Sequence, residues 1–225
     1  DDRSWCFWEK DSNDYEDLID ASWKKWRFSK GNNLHTKEFQ NHSYHYIRSI
    51  NFYRKALKII KGSNNICIKM NEQVKFINYK DDIFIIKTDK SNYTAKKVLD
   101  TIPRENVLNK KPLIFQSFLG YELVLNKSKC FDEVAHIMSD MTGNDKDFIF
   151  DYILPISKRT ILFETTFFSE TRRSKEIIKA ELIKRINKYD LGRFKILREE
   201  YGVIPMGIFK KKENKKNYFL AGTLG

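Results

Sequence analysis

Two glutamates stand inside apolar runs where a carboxylate is out of place. Glu122 interrupts Phe118-Leu119-Gly120-Tyr121-Glu122-Leu123-Val124-Leu125, and Glu164 interrupts Thr160-Ile161-Leu162-Phe163-Glu164-Thr165-Thr166-Phe167-Phe168. Side chains of a strand alternate between its faces, so Glu122 shares a face with Phe118, Gly120 and Val124, and Glu164 with Leu162, Thr166 and Phe168. A carboxyl in such surroundings holds its proton to higher pH, which is what a general acid near neutrality needs. On neighbouring strands of one sheet, the two would supply an acid and a base, or one group at each end of a site. The plainer alternatives are a solvent-facing sheet edge for Glu122 and a salt bridge to Arg159 or a lysine for Glu164. Gly120 leaves a gap beside Glu122 through which an elongated apolar ligand could approach.

Other candidate groups carry weaker signals. His35, His42, His45 and His136 lack metal-ligand spacing, so no metal site is expected. Cys6, Cys67 and Cys130 are scattered and odd in number, which argues against a disulfide framework and for a reducing compartment. All four tryptophans, Trp5, Trp8, Trp23 and Trp26, fall within residues 5–28, as core or as walls of an apolar site. Aromatics make up 14% of the 225 residues, which suits an apolar ligand, although a Phe-rich core accounts for most of it. The net charge of +12 is spread along the chain and accompanies no nucleic-acid-binding motif. It reads as a solvated surface or as one that favours anionic membrane. The densest basic run, Lys210, Lys211, Lys212, Lys215 and Lys216, reads as a hairpin loop. No apolar run approaches the roughly 20 residues that a membrane-spanning helix needs.

The elements that must position the two glutamates follow from periodicity. Residues 44–60 space Ile47, Ile50, Leu57 and Ile60 as a helix does. From 66 to 100 the pattern turns to an antiparallel meander. Ile66, Ile68 and Met70 alternate, and Val74–Tyr79, Ile83–Thr88 and Asn92–Leu99 follow, with a break at Pro103. Residues 113–125, 148–154 and 159–168 read as long strands. Residues 174–189 read as an amphipathic helix with Ile178, Leu182, Ile186 and Tyr189 on one stripe, and 195–204 as a further strand. The class is mixed α/β with an antiparallel second layer. Asp1 at one end, and Ala221-Gly222-Thr223-Leu224-Gly225 after the apolar Tyr218-Phe219-Leu220 at the other, read as cut ends of a longer chain.

An ordered set of segments resembles the bacterial lycopene cyclase family. Asp2-Arg3-Ser4-Trp5-Cys6-Phe7-Trp8-Glu9 is similar to the stretch after that family's first βαβ unit. Tyr46-Ile47-Arg48 with Phe52-Tyr53 is similar to its helix opening, and Val98-Leu99-Asp100-Thr101 to a strand end. Gln116 to Glu122 resembles its FLGxE motif. Leu154-Pro155-Ile156-Ser157 with Phe163-Glu164-Thr165-Thr166 resembles LPFS…VExT. Glu200-Tyr201-Gly202-Val203-Ile204-Pro205-Met206 resembles ExGxIPM, and Gly222-Thr223-Leu224-Gly225 the start of a GTAGG turn. Two departures stand out. The family's GxGxxG fingerprint is absent and belongs upstream of Asp1. The family's MDFR arginine is missing at Met138-Ser139-Asp140-Met141-Thr142, so no role is carried over for it.

The resemblance implies an FAD/NAD(P)-binding-type domain lacking its first βαβ unit, joined to an antiparallel substrate-binding sheet. The expected division is 1–103 for the partial FAD-binding domain, 104–210 for the catalytic sheet and helix, and 211–225 for a return to the first domain. The implied reaction closes the ψ-ends of lycopene to β-rings without net redox change, aided by reduced FAD. Glu122 is then the leading acid and Glu164 the second carboxylate. Phe118, Gly120, Trp5 and Trp8 contact substrate, and Arg48, Gly222, Thr223 and Gly225 hold the flavin. The partners are a carotenoid and an anionic membrane surface, with no nucleic acid, in a cytoplasmic, peripherally membrane-bound enzyme. An FAD-dependent monooxygenase or polyene oxidoreductase of the same fold is the alternative, and a non-catalytic basic binding protein the second.

Overall fold

The long apolar segments pair into one broad sheet. The computed structural model describes residues 3–10, 14–102, 114–126, 133–206 and 216–222. In chain order the strands are β1 (Ser4–Lys10), β2 (Ala21–Trp23), β3 (Lys25–Lys30), β4 (Asn33–Glu38) and β5 (His42–Arg48) before helix α1 (Ser49–Lys61). Then come β6 (Val74–Lys80), β7 (Ile83–Thr88), β8 (Asn92–Ala95) and β9 (Val98–Asp100). Next are β10 (Ile114–Leu125), β11 (Val134–Gly143), β12 (Asp147–Pro155), β13 (Thr160–Ser169), helix α2 (Lys175–Asn187), β14 (Phe194–Met206) and β15 (Tyr218–Leu220). The class is mixed α/β and mostly sheet, as expected.

Two compact units divide the chain, 1–59 with 114–205, and 60–113 with 206–225. These boundaries differ from the expected 103 and 210. In the first unit a seven-stranded sheet runs β14-β10-β13-β12-β11-β3-β4, and a three-stranded sheet runs β1-β5-β2. Gly120 lies opposite Glu164 and Glu122 opposite Leu162 in the antiparallel β10·β13 pair. Alternation then sorts the core. Leu119, Tyr121, Leu123, Ile161, Phe163 and Phe167 pack with Ile178, Leu182 and Ile186 of α2 on one face, in the predicted helical stripe. Ser174 starts α2 by accepting from the Ile177 N–H at 3.4 Å. Leu154 and Leu162 turn to the opposite face, against Trp23, Tyr44, Tyr46 and Ala135.

The second unit holds the meander β6-β7-β8 and the parallel pair β15-β9. Three sequence expectations need correction. Residues 44–48 are strand rather than helix, because Tyr44, Tyr46 and Ile47 are buried between β1 and β2, and α1 begins only at Ser49. Residues 66–70 are not a strand, and their alternating Ile66, Ile68 and Met70 stay exposed. Asn92–Leu99 is two strands, since β9 leaves the meander to pair with β15. The break at Pro103, the hairpin across 210–215 and Cys130 lie outside the described residues.

Candidate active site

Alternation on three adjacent strands brings Glu200 of β14, Gly120 of β10 and Glu164 of β13 together. A Cβ at Gly120 would lie 3.1 Å from Glu164 Cβ and 3.1 Å from Glu200 Cγ. The gap at Gly120 is therefore taken up by two carboxyl side chains, not by open space beside Glu122. Glu164 and Glu200 thus stand side by side under Gly120. Both are buried, at 8% and 3% exposure. Burial pushes the Glu164 carboxyl well above the ordinary carboxylate range, and the charge of Glu200 pushes it further. Glu164 Oε1 accepts from the Thr166 hydroxyl at 3.1 Å. Glu200 Oε2 accepts from Arg198 Nη1 at 2.8 Å and from the Ser4 hydroxyl at 2.9 Å. The arrangement is two like acids side by side, with the cation on the Glu200 side.

Glu122 sits deeper on the same face and has another environment. It is 1% exposed and accepts from Arg48 and, at 3.3 Å, from Arg198 Nε. Arg198 thus bridges Glu122 and Glu200, and its Nη2 also reaches the Ser4 hydroxyl at 2.6 Å and the Tyr46 hydroxyl at 3.1 Å. The solvent-edge alternative for Glu122 and the Arg159 salt bridge for Glu164 both fall. Arg159 instead donates to the Leu125 and Asn126 carbonyls.

A cavity of about 370 Å³ opens over the carboxyl pair. Glu164 and Glu200 line it together with Trp5, Cys6, Tyr44, Phe118, Tyr152 and Leu162. Glu122 is not among its lining residues. Burial raises the Cys6 thiol and the Tyr44 and Tyr152 phenols above their ordinary ranges, so all three are neutral near pH 7. Trp5 is braced edge-on by Phe52 at 5.1 Å and Tyr53 at 5.7 Å. Phe118 lies over Gly202, where a Cβ would come within 2.4 Å of its ring. Trp8 does not line the cavity; it packs behind Tyr44 at 4.8 Å.

The residues expected to hold a cofactor are divided between the two units. Arg48 ends β5 and turns onto Glu122. Gly222 follows β15 in the second unit, and Thr223 and Gly225 lie outside the described residues. In the sequence Glu200 stands only as the first residue of its motif, and Arg198 carries no motif at all. Alternation along Arg198, Glu200, Gly202 and Ile204 was the available signal. Among the described residues no cluster of His, Cys, Asp or Glu is arranged to hold a metal, and no helix is long and apolar enough to cross a membrane.

The fold is shared with several solved structures, one of them in complex with FAD. A geranylgeranyl bacteriochlorophyll reductase-like protein of Thermoplasma acidophilum superimposes with TM-score 0.69 at 12% identity, over 95% of this chain and 57% of that one. A p-nitrophenol 4-monooxygenase of Pseudomonas putida gives TM-score 0.66 at 13% identity, over 94% and 58%. The halogenase PltM, in complex with phloroglucinol and FAD, gives 0.56 at 13% identity, over 90% and 47%. The chain thus spans about half the length of the structures it resembles. No curated protein matches it by sequence. The family model described as lycopene cyclase protein matches residues 1–224. With that match over nearly its whole length, the chain belongs to the lycopene cyclase family.

Proposed function

We propose that this chain carries the acid site of a lycopene β-cyclase and that Glu164, rather than Glu122, is the proton donor. The observation that carries this reading is the buried Glu164–Glu200 pair facing an aromatic-lined cavity. Cyclisation needs a proton delivered to an unactivated alkene, shelter for the tertiary cation, and a base that removes a neighbouring proton. Glu164 keeps its proton because its site is dry and a second carboxyl stands against it. It gives that proton to the less substituted carbon of the end double bond, which leaves a tertiary cation on the dimethyl carbon. The next double bond along the chain attacks that carbon and closes the ring, moving the cation into the ring. The new carboxylate is steadied by the Thr166 hydroxyl and by Arg198 through Glu200. Trp5, Phe118, Tyr44 and Tyr152 wall the cation from water, and a ring face contributes about 0.5–2 kcal/mol to it. The Glu164–Glu200 pair then takes the proton lost beside the cation, which restores the starting state with no net redox change. Glu122 holds Arg48 and Arg198 in position and touches no reacting atom.

Flavin fits at one point among the described residues. Gly222 lies two residues past the parallel β15·β9 pair at φ +70°, and the nearest atom to a Cβ there is the Thr101 carbonyl oxygen at 4.0 Å. Backbone at such a turn can approach a flat ring or a phosphate. When bound, reduced FAD supplies negative charge that favours a nearby cation. Arg48 belongs with the acid site because Glu122 holds it.

The test is lycopene conversion by the full-length enzyme with reduced FAD. Glu164→Gln should cut ring formation by about 10²–10⁴-fold while flavin content is kept. Substrate-dependent oxidation of NAD(P)H without ring products would favour an oxidoreductase instead.

A further inference from the structure

The edge of the seven-stranded sheet carries a surface that the acid site does not use. β4 is the last strand, and every one of its residues is exposed. Its pairing with β3 sets Trp26 against Lys37, Phe28 against His35 and Lys30 against Asn33 on one face. The rings there form a shelf. Trp26 stacks on Phe28 at 5.6 Å and on Phe39 at 6.0 Å, and Trp8 packs edge-on against Trp26 at 5.5 Å and Phe39 at 5.7 Å. The shelf is not sealed: Trp8 is 41% and Phe39 45% exposed, and Leu34 near the hairpin tip is 56% exposed. Residues 21–39 bring Lys24, Lys25, Arg27, Lys30 and Lys37 against one carboxylate, Glu38. Inward, Trp8 lies 4.8 Å from Tyr44, which lines the cavity above Glu164.

We propose that the β3–β4 hairpin, with Trp8 and Phe39, is the surface by which the protein docks on an anionic bilayer, and that substrate passes from that bilayer along the Trp8–Tyr44 side into the cavity. The passage rests on the polyene-cyclase reading; the docking does not. Exposed Trp and Phe beside lysines are what a bilayer interface selects, rings at headgroup level and cations on anionic lipid. A polyene that does not dissolve in water also needs a route that stays in contact with lipid. The charge fixes the kind of lipid, because each suitably placed lysine strengthens binding about fivefold.

The experiment is co-sedimentation of the full-length protein with vesicles of phosphatidylcholine, with and without phosphatidylglycerol. Binding to the anionic vesicles should fall as salt rises, and Lys30→Gln/Lys37→Gln should weaken it about thirtyfold at low salt. Both lysines are exposed, so the fold should survive. Brominated lipid should quench tryptophan fluorescence in the wild type, and Trp8→Phe should remove much of that quenching. With substrate presented in detergent the lysine variant should cyclise as the wild type does; in vesicles it should lag. Unchanged anionic-vesicle binding by the lysine variant, or no lipid quenching, overturns the docking surface. So does self-association that Trp8→Ser abolishes, or tight binding to a random RNA with none to vesicles. A wild type that binds vesicles but makes no ring product in detergent overturns the cyclase reading and leaves the docking surface standing.

Discussion

The two faces of one sheet each bury an acid beside a guanidinium, and they use it differently. On the α2 face Asp151, opposite Thr165, meets Arg185 at 3.1 Å, with 0% and 1% of the two residues exposed. Arg185 is saturated there. It also donates to Glu181 at 2.8 Å, to the Asp140 carbonyl at 2.9 Å and to the Thr142 hydroxyl at 2.6 Å. Asp140 can turn to it because β11 changes register on both sides of Ser139, with φ +52° at Met138 and +48° at Asp140. The segment that lacks the family's arginine thus meets one from α2. On the cavity face Glu164, next to Thr165 in sequence, finds another carboxyl and a hydroxyl, while the cation stops at Glu200. The acid on the α2 face has a guanidinium against it, while under the proposed mechanism Glu164, with a carboxyl in that place, is the one that gives up its proton.

Substitutions should separate the two roles. Glu164→Gln in the full-length enzyme keeps the shape and should cut cyclisation by about 10²–10⁴-fold, with little loss of stability. Near-normal ring product would mean that the proton comes from elsewhere. Arg185→Ala should do the reverse. Stripping the cation from a buried pair costs about 3–5 kcal/mol, read as a lowered denaturation midpoint. An unchanged midpoint would mean that the α2 cluster contributes nothing to the fold.

The sequence made this contrast half legible. Alternation sorted the same-face neighbours of Glu122 and of Glu164, and the stripe Ile178, Leu182, Ile186 gave α2 the side that it buries. Alternation cannot say which strand lies beside which, and that decided the roles. Glu122 faces Leu162 and two arginines, while Glu164 faces Gly120 and Glu200. Arg198-Glu199-Glu200 reads as a solvated charge run, and only β14 lying next to β10 buries half of it. The hairpin β3–β4 escaped notice because its apolar residues sit on an open edge among lysines, which gives no buried-strand pattern. Tyr44 to Arg48 looked helical because Ile47, Ile50, Leu57 and Ile60 happen to fall on one stripe; burial of that segment between two strands outweighs its spacing.

A pH titration tests the α2 cluster more finely. Burial pushes Asp151 up to about 6, against the pull of Arg185. An unfolded aspartate titrates near 3.9, so the native state holds a proton that the unfolded chain releases between those values. This stabilisation is fully present below about pH 3.9 and is lost as pH rises through about 6. The expected change is about 2–3 kcal/mol. Glu164 is raised too and contributes with the same sign, so the informative quantity is the difference between the wild type and Asp151→Asn. In denaturant titrations from about pH 4 to 7 the wild type should lose ground relative to the variant. A wild type that gains ground would mean that Arg185 outweighs burial.

The smallest expected effect concerns the two glycines that shape the cavity face, and it separates packing from chemistry. At Gly202 a Cβ would meet the Phe118 ring at 2.4 and 2.7 Å, nearer than atoms can stand. Gly202→Ala must move an aromatic side chain that is 7% exposed, so it should cost about 1–3 kcal/mol as overpacking. Pairing it with Phe118→Leu should recover part of that loss, because the two sites touch and their effects should not add. At Gly120 the nearest atoms are 3.1 Å away and belong to Glu164 and Glu200, whose side chains can give by a few tenths of an ångström. Gly120→Ala should therefore cost less stability than Gly202→Ala, yet it pries apart the two neighbouring carboxyls. Its mark should be a lowered pKa for the acid limb of the rate–pH profile, since separating like charges makes Glu164 easier to ionise. Gly202→Ala, which leaves the pair alone, should not move that limb. Were both variants to leave the profile unchanged, the proximity of Glu200 would not be what keeps Glu164 protonated, and burial alone would have to do so.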